Sequence, residues 1–146
     1  MKFMKAFEPL ALLGMRLALA LIFLVHGYPK LVHPNDAMRE FFMAHGLPGY
    51  FLGLSGILEC FGALLFFVGL FTRPAASLLA IEMVVAIWKV HSGHGIMAVR
   101  DYEFPLAVGV GCLVLATIGA GLLSIDSLLF GEGGGKRRRA ARSIKD

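Results

Sequence analysis

The stretch YFLGLSGILECFGALLFFVGLF, residues 50–71, decides the fold. It is long and apolar enough for a helix crossing the roughly 30 Å of bilayer hydrocarbon, which takes about 20 residues. One ionisable side chain, Glu59, interrupts it. A carboxylate at that depth costs free energy unless it turns inward and is answered there. At about 100° per residue, Gly53, Gly56, Glu59 or Cys60, and Ala63 fall near one side of the helix. Small residues let helices approach closely, so this side is predicted to face a bundle interior.

Three further stretches read the same way: 9–28, 75–91 and 104–123. The third is short and carries Glu82 and Lys89, with Lys89 near enough to its end to reach the interface. The composition agrees: 58% of the 146 residues are hydrophobic and 16% charged, against roughly 45–50% and 25% in a soluble domain. The expectation is an all-α membrane four-helix bundle with four transmembrane helices over 9–128. A cytoplasmic N-terminus, 1–8, precedes it, and a disordered basic tail, 129–146, follows. The first segment opens with MKFMK like a signal peptide. Its length, Arg16 within it and HGYPK after it predict a retained span instead.

Much of the net charge of +4 comes from the tail GKRRRAARSIK. Beside a span, such a tail predicts contact with a lipid surface and not with nucleic acid. With four spans, Lys2, Lys5, Arg73 and the tail share one side, so both termini are expected in the cytoplasm of a multi-pass inner-membrane protein. In the first outer loop, NDAMREFFMAHG predicts a short interfacial helix capped by Asn35 or Asp36 and stopped at Gly46. Pro74 suits the start of the third span.

No P-loop, dinucleotide-binding glycine pattern, nucleophile elbow or HExxH motif occurs, so any chemistry must use the bundle itself or a partner. Cys60 and Cys112 form no CxxC pair and are expected as buried thiols. A rise of about 1.5 Å per residue sorts the charges by depth. Arg16 and Glu82 fall at one level toward the inner side and are expected as a structural ion pair. Glu59 falls nearer the outer side with His26, Lys30, Lys89, His91 and Glu103. In this outer group Glu59, His26 and His91 are the candidate catalytic residues, and Lys30, Lys89 and Glu103 the candidate substrate-binding ones. His91 and His94 stand three apart, a spacing that can hold a metal on a helix, but the glycine between them argues for a loop. Neither a metal nor haem is favoured.

Arg16, HGYPK at 26–30, LECFGALLFFVGLFTRPAA at 58–76, His91, Glu103 and GAGLLSID at 119–126 together resemble the DoxX family of small four-span membrane proteins. The resemblance covers about residues 10–127. It implies a helical fold in the cytoplasmic membrane and a link to redox complexes. These include a thiosulfate:quinone oxidoreductase and an assembly with superoxide dismutase and a sulfurtransferase. Carried over residue by residue, it marks Arg16, His26, Gly27, Lys30, Glu59, Arg73, His91, Glu103 and Asp126. Glu82 and Lys89 are outside that pattern and rest on spacing alone.

The reading is a small subunit or accessory of a quinone-linked redox or sulfur/thiol complex, with quinone as candidate cofactor. The lipid bilayer, a redox partner subunit and a second copy of the chain are its candidate partners. Two alternatives stand beside it: a structural or assembly protein whose internal charges fix helix register, and an oligomeric transporter of protons or small anions.

Overall fold

Hydrophobic periodicity and capping residues set six α-helices along the described chain. The computed structural model describes the backbone of residues 2–91 and 98–130, and the side chains of 7–90 and 98–130. His94 and the expected basic tail beyond residue 130 lie outside the described residues, and His91 is placed by its backbone alone.

Helix α1, Lys2–Val32, begins well before the span expected at Pro9 and carries Pro9 and Pro29 inside it. Its 31 residues extend about 47 Å, longer than the hydrocarbon core. Lys30 occupies its last turn, where a cation meets the negative end of the helix dipole. Helix α2, Asp36–Ala44, is the short helix expected in the first loop. Asn35 caps it, its side-chain oxygen accepting the Met38 N–H at 2.8 Å, and none of its residues is buried.

Helix α3, Phe51–Val68, buries Leu52, Gly56, Glu59, Gly62, Ala63 and Phe66, a stripe spaced by three and four residues. It ends where Gly69 turns left-handed at φ +69°. There the N–H groups of Gly69 and Leu70 both return to the Leu65 carbonyl, at 2.8 and 3.0 Å.

Helix α4, Thr72–Ala86, has Pro74 in its first turn, where no N–H is required. It runs on through a π-helical turn, Ile87–His91. Helix α5, Val99–Ile118, starts and stops about five residues ahead of the expected 104–123. Pro105 sits inside α5 instead of opening it. Gly119, at φ +94°, ends α5 early and leaves 119–124 as a loop before α6, Ile125–Leu129.

Four long helices pack in a ring: α1 on α3 and α4 on α5 most extensively, with α3 on α4 and α1 on α5 closing it. Phe23, Phe66, Leu79, Cys112 and Leu115 fill the centre among small residues such as Ala63 and Ala76. The outside is also apolar, with Leu21, Phe61, Phe67, Ile81 and Leu113 all exposed. An apolar exterior around a tightly packed interior suits lipid as solvent. Among the described residues, three helical stretches are long and apolar enough to cross a membrane: Phe7–Val32, Phe51–Val68 and Val99–Ile118. The α-helical part of α4 has 15 residues, short of the roughly 17 that a span requires.

Candidate functional site

Gly27 and Gly56 create the site by what they lack. A Cβ added to Gly27 would lie 2.7 Å from the Glu59 Cβ and 3.0 Å from the Cys60 Sγ and backbone nitrogen. One added to Gly56 would meet the Lys30 Cβ and Leu31 Cγ at 3.0 Å. With neither present, α1 and α3 close together, and the Lys30 stem bends over α3 toward Glu59.

Lys30 Nζ donates to Glu59 Oε2 at 2.7 Å and to Ser55 Oγ at 2.9 Å. Ser55 Oγ in turn donates to Glu82 Oε1 at 2.5 Å. The result is one hydrogen-bonded line through α1, α3 and α4. Glu59 is 4% exposed. Glu82 Oε2 is buried without a hydrogen-bond partner among the described residues. The line therefore holds two carboxylates against one ammonium. In a low-dielectric interior such a set is electrically balanced only when it also holds one exchangeable proton.

The expected Arg16–Glu82 pair does not form. Arg16 is 1% exposed and spends its guanidinium on backbone carbonyls. Nε donates to Phe66 O at 3.0 Å, one terminal nitrogen to Ala120 O at 2.9 Å and Leu123 O at 2.7 Å, and the other to Phe67 O at 3.3 Å. Two of these carbonyls belong to the last turn of α3, where no intrahelical donor remains for them. The depth estimate failed because it counted from assumed helix ends. Arg16 lies level with the C-terminal end of α3, whereas Glu82 lies level with Ser55, in the second turn of α3 from its N-terminus.

The rest of the expected outer group is only partly assembled. His26 is exposed and sits within electrostatic reach of Glu59. Its ring stacks on Phe104 with centroids 5.3 Å apart. Its Nδ1 lies 2.8 Å from the Ile22 carbonyl and donates to it, which leaves Nε2 outside that contact. Lys89 does not join Glu59: its Nζ lies 4.8 Å from the centre of the Trp88 ring. The cause is position, since Lys89 falls in the π-helical turn beyond α4, near Gly46 at the end of α2. Glu103 is exposed in the early part of α5, with no hydrogen bond or ion pair among the described residues. Ser55 was not anticipated. Its place one turn before Glu59, on the side shared with Lys30, was the available signal.

A second cluster ties helix ends together at the end of the bundle away from Lys30, the one expected to be inner. Asp126 accepts the N–H groups of Phe71 and Thr72 at 2.7 and 2.9 Å, capping α4 from a distance. Arg73 donates to Ile118 O at 3.2 Å, covering the last carbonyls of α5. Arg16 completes the cluster at the end of α3. Among the described residues, the side-chain hydrogen bonds of these three charges all go to helix ends and the loop that follows α5, and Arg73 and Asp126 also line a cavity of about 720 Å³ at this end.

The DoxX family model matches residues 11–92, more than half of the chain, from within α1 through the π-helical turn after α4. The chain belongs to the DoxX family. An uncharacterized protein of Haemophilus influenzae is 30% identical over 136 residues, covering 87% of this chain and 96% of its own length. A Bacillus subtilis relative named "Putative oxidoreductase CatD" is 30% identical over 126 residues, covering 86% and 91%. The Escherichia coli inner membrane protein YqjF is 29% identical over 131 residues, covering 86% and 97%. No solved structure matches the chain at a significant level. This DoxX chain is thus an integral membrane protein with several apolar helices. Of the residues marked by resemblance, Gly27, Lys30 and Glu59 meet in the buried line, and Arg16, Arg73 and Asp126 meet in the inner cluster.

Proposed function

We propose that this DoxX protein is a four-span subunit of a quinone-linked redox or sulfur/thiol complex. Its part is to hold and move a proton along the line Glu59, Lys30, Ser55 and Glu82. The observation that carries this reading is the second carboxylate. A strut between α1 and α3 needs only Lys30 and Glu59, whereas Ser55 and Glu82 add a further titratable group and a buried oxygen without a partner. The name of the Bacillus subtilis relative supports a redox setting.

The proton step balances without any other group. Lys30 gives a proton to Glu59 and takes one from Ser55, whose hydroxyl turns to take one from Glu82. The ammonium is restored, and the negative charge has moved from Glu59 to Glu82. Electrons come from the partner subunit, and a quinone that accepts two of them needs two protons. His26 supplies an acceptor nitrogen for a quinol hydroxyl beside the face of Phe104, and His91 is its proposed companion from the end of the π-helical turn.

The fourth span in this reading is the helical run Thr72–His91, whose Leu78, Ile81 and Val84 are exposed as a lipid-facing side would be. Both termini then lie in the cytoplasm, because Lys2, Lys5, Arg73 and the basic tail share that side. The name of the Escherichia coli relative favours the inner membrane. Quinone reduction by membranes carrying Ser55→Ala or Glu82→Gln tests the reading. The expected loss is about 100-fold, the low end of a positioned proton-transfer group, with thermal stability in detergent nearly unchanged. Unchanged quinone reduction in both variants would leave the Lys30–Glu59 pair as a strut and end the redox reading.

A further inference from the structure

A second feature touches the proton line at Lys30 alone and does not depend on that reading. A cavity of about 550 Å³ opens at the end of the bundle expected to face outward, between the end of α1, the amphipathic α2 and the first turn of α3. Its walls include Leu31, Pro34, Met43, Tyr50 and Leu52. Two cations, Lys30 and Arg39, also line it, and no carboxylate does. The acids of α2, Asp36 and Glu40, are not among its lining residues. Lys30 is committed, its ammonium already bonded to Glu59 and Ser55. Arg39 is not: it is exposed, and its guanidinium has no hydrogen bond or ion pair among the described residues. α2 leaves Phe41 and Met43 exposed beside it, as a helix lying in the membrane interface would.

From this we infer that the cavity seats an amphiphile with an anionic head group, a phosphate or sulfonate on an apolar chain, drawn from the outer leaflet. The head rests on the Arg39 guanidinium, whose planar fork matches an oxyanion with two parallel hydrogen bonds. The chain lies along Leu31, Met43 and Tyr50. Charge and shape agree: a purely apolar guest would leave Arg39 unanswered, and a small free anion would leave the apolar walls wet. The volume is within the range of sites that hold small ligands.

Native mass spectrometry of the detergent-purified full chain tests this, with phosphatidylglycerol and zwitterionic phosphatidylcholine as the probes. The wild-type chain retains the anionic lipid in preference to the zwitterionic one. Arg39→Gln weakens retention of phosphatidylglycerol by about fivefold, the worth of one interfacial cation, and leaves phosphatidylcholine unchanged. Arg39→Lys keeps the charge without the fork and falls between the wild type and Arg39→Gln, which guards against a folding artefact. Met43→Trp, which fills the cavity, lowers retention while Arg39 stays in place. Equal retention of phosphatidylglycerol by the wild type and Arg39→Gln overturns the site. Displacement of the lipid by millimolar inorganic phosphate overturns the amphiphile and makes the cavity a free-anion site.

Discussion

Lys30 and Glu59 meet at 2.7 Å across a close approach of α1 and α3, which is possible because Gly27, one turn before Lys30, has no side chain. The Glu59 Cβ occupies the space that a Cβ on Gly27 would need. The ion pair and the small residue are therefore one device: the glycine sets the helix separation, and the pair fixes register at that separation.

Removing one member of the pair leaves the other buried and unanswered. Glu59→Leu or Lys30→Met alone should destabilise the bundle by about 3–5 kcal/mol. The double replacement should recover most of the loss, since an apolar pair leaves no charge behind. Thermal unfolding in detergent of the two single variants and the double variant measures this, and a double variant as unstable as the singles would contradict it.

Gly27→Ala should push α1 from α3 and lower stability by about 1–3 kcal/mol, the usual cost of overpacking. Gly14 lies in the same helix with nothing within 4 Å of an added Cβ. Gly14→Ala should therefore be neutral or stabilising by up to about 1 kcal/mol, through helix propensity alone. The contrast between the two alanine variants, read as melting temperatures, isolates the close approach.

Arg16→Lys keeps the charge but loses the fork. An ammonium cannot serve carbonyls on both the last turn of α3 and the 120–123 loop at the distances now observed. A loss of roughly 2–3 kcal/mol is expected, the scale of a charged hydrogen bond left unmade. If Arg16→Lys unfolds at the wild-type temperature, the guanidinium geometry is not what holds this end.

Asp126→Ala should expose the first N–H groups of α4 and cost about 1–2 kcal/mol, as losing a helix cap does. Asp126→Asn keeps an acceptor and should cost less. Hydrogen exchange at Phe71 and Thr72 should rise in the alanine variant before any other part of α4 changes.

Much of the architecture was legible because it depends on local chemistry. Long apolar runs mark α1, α3 and α5, Asn35 marks the start of α2, and the glycine-lined side of α3 marks where Glu59 points. Lys30 as a partner of Glu59 was legible from depth. The Arg16 partners were not, for a physical reason. A guanidinium satisfied by backbone carbonyls leaves no trace in side-chain identities, and only its complement, an early helix end at Gly119, could have hinted at it. Lys89 was misplaced because charge spacing assumes an unbroken α-helix, and the π-helical turn at Ile87–His91 shifts its direction.

The contacts of Arg16 also set an order of events. Its hydrogen bonds reach 50, 104 and 107 residues along the chain. During synthesis α1 therefore enters the membrane with its cation unanswered, and the carbonyls of Ala120 and Leu123 arrive only after α5 has been made. The inner cluster is the last part of the bundle able to close, so the cell has a built-in mark of completeness: a chain cut short before residue 120 keeps the Phe66 and Phe67 carbonyls for Arg16 but leaves one terminal nitrogen of its guanidinium unanswered.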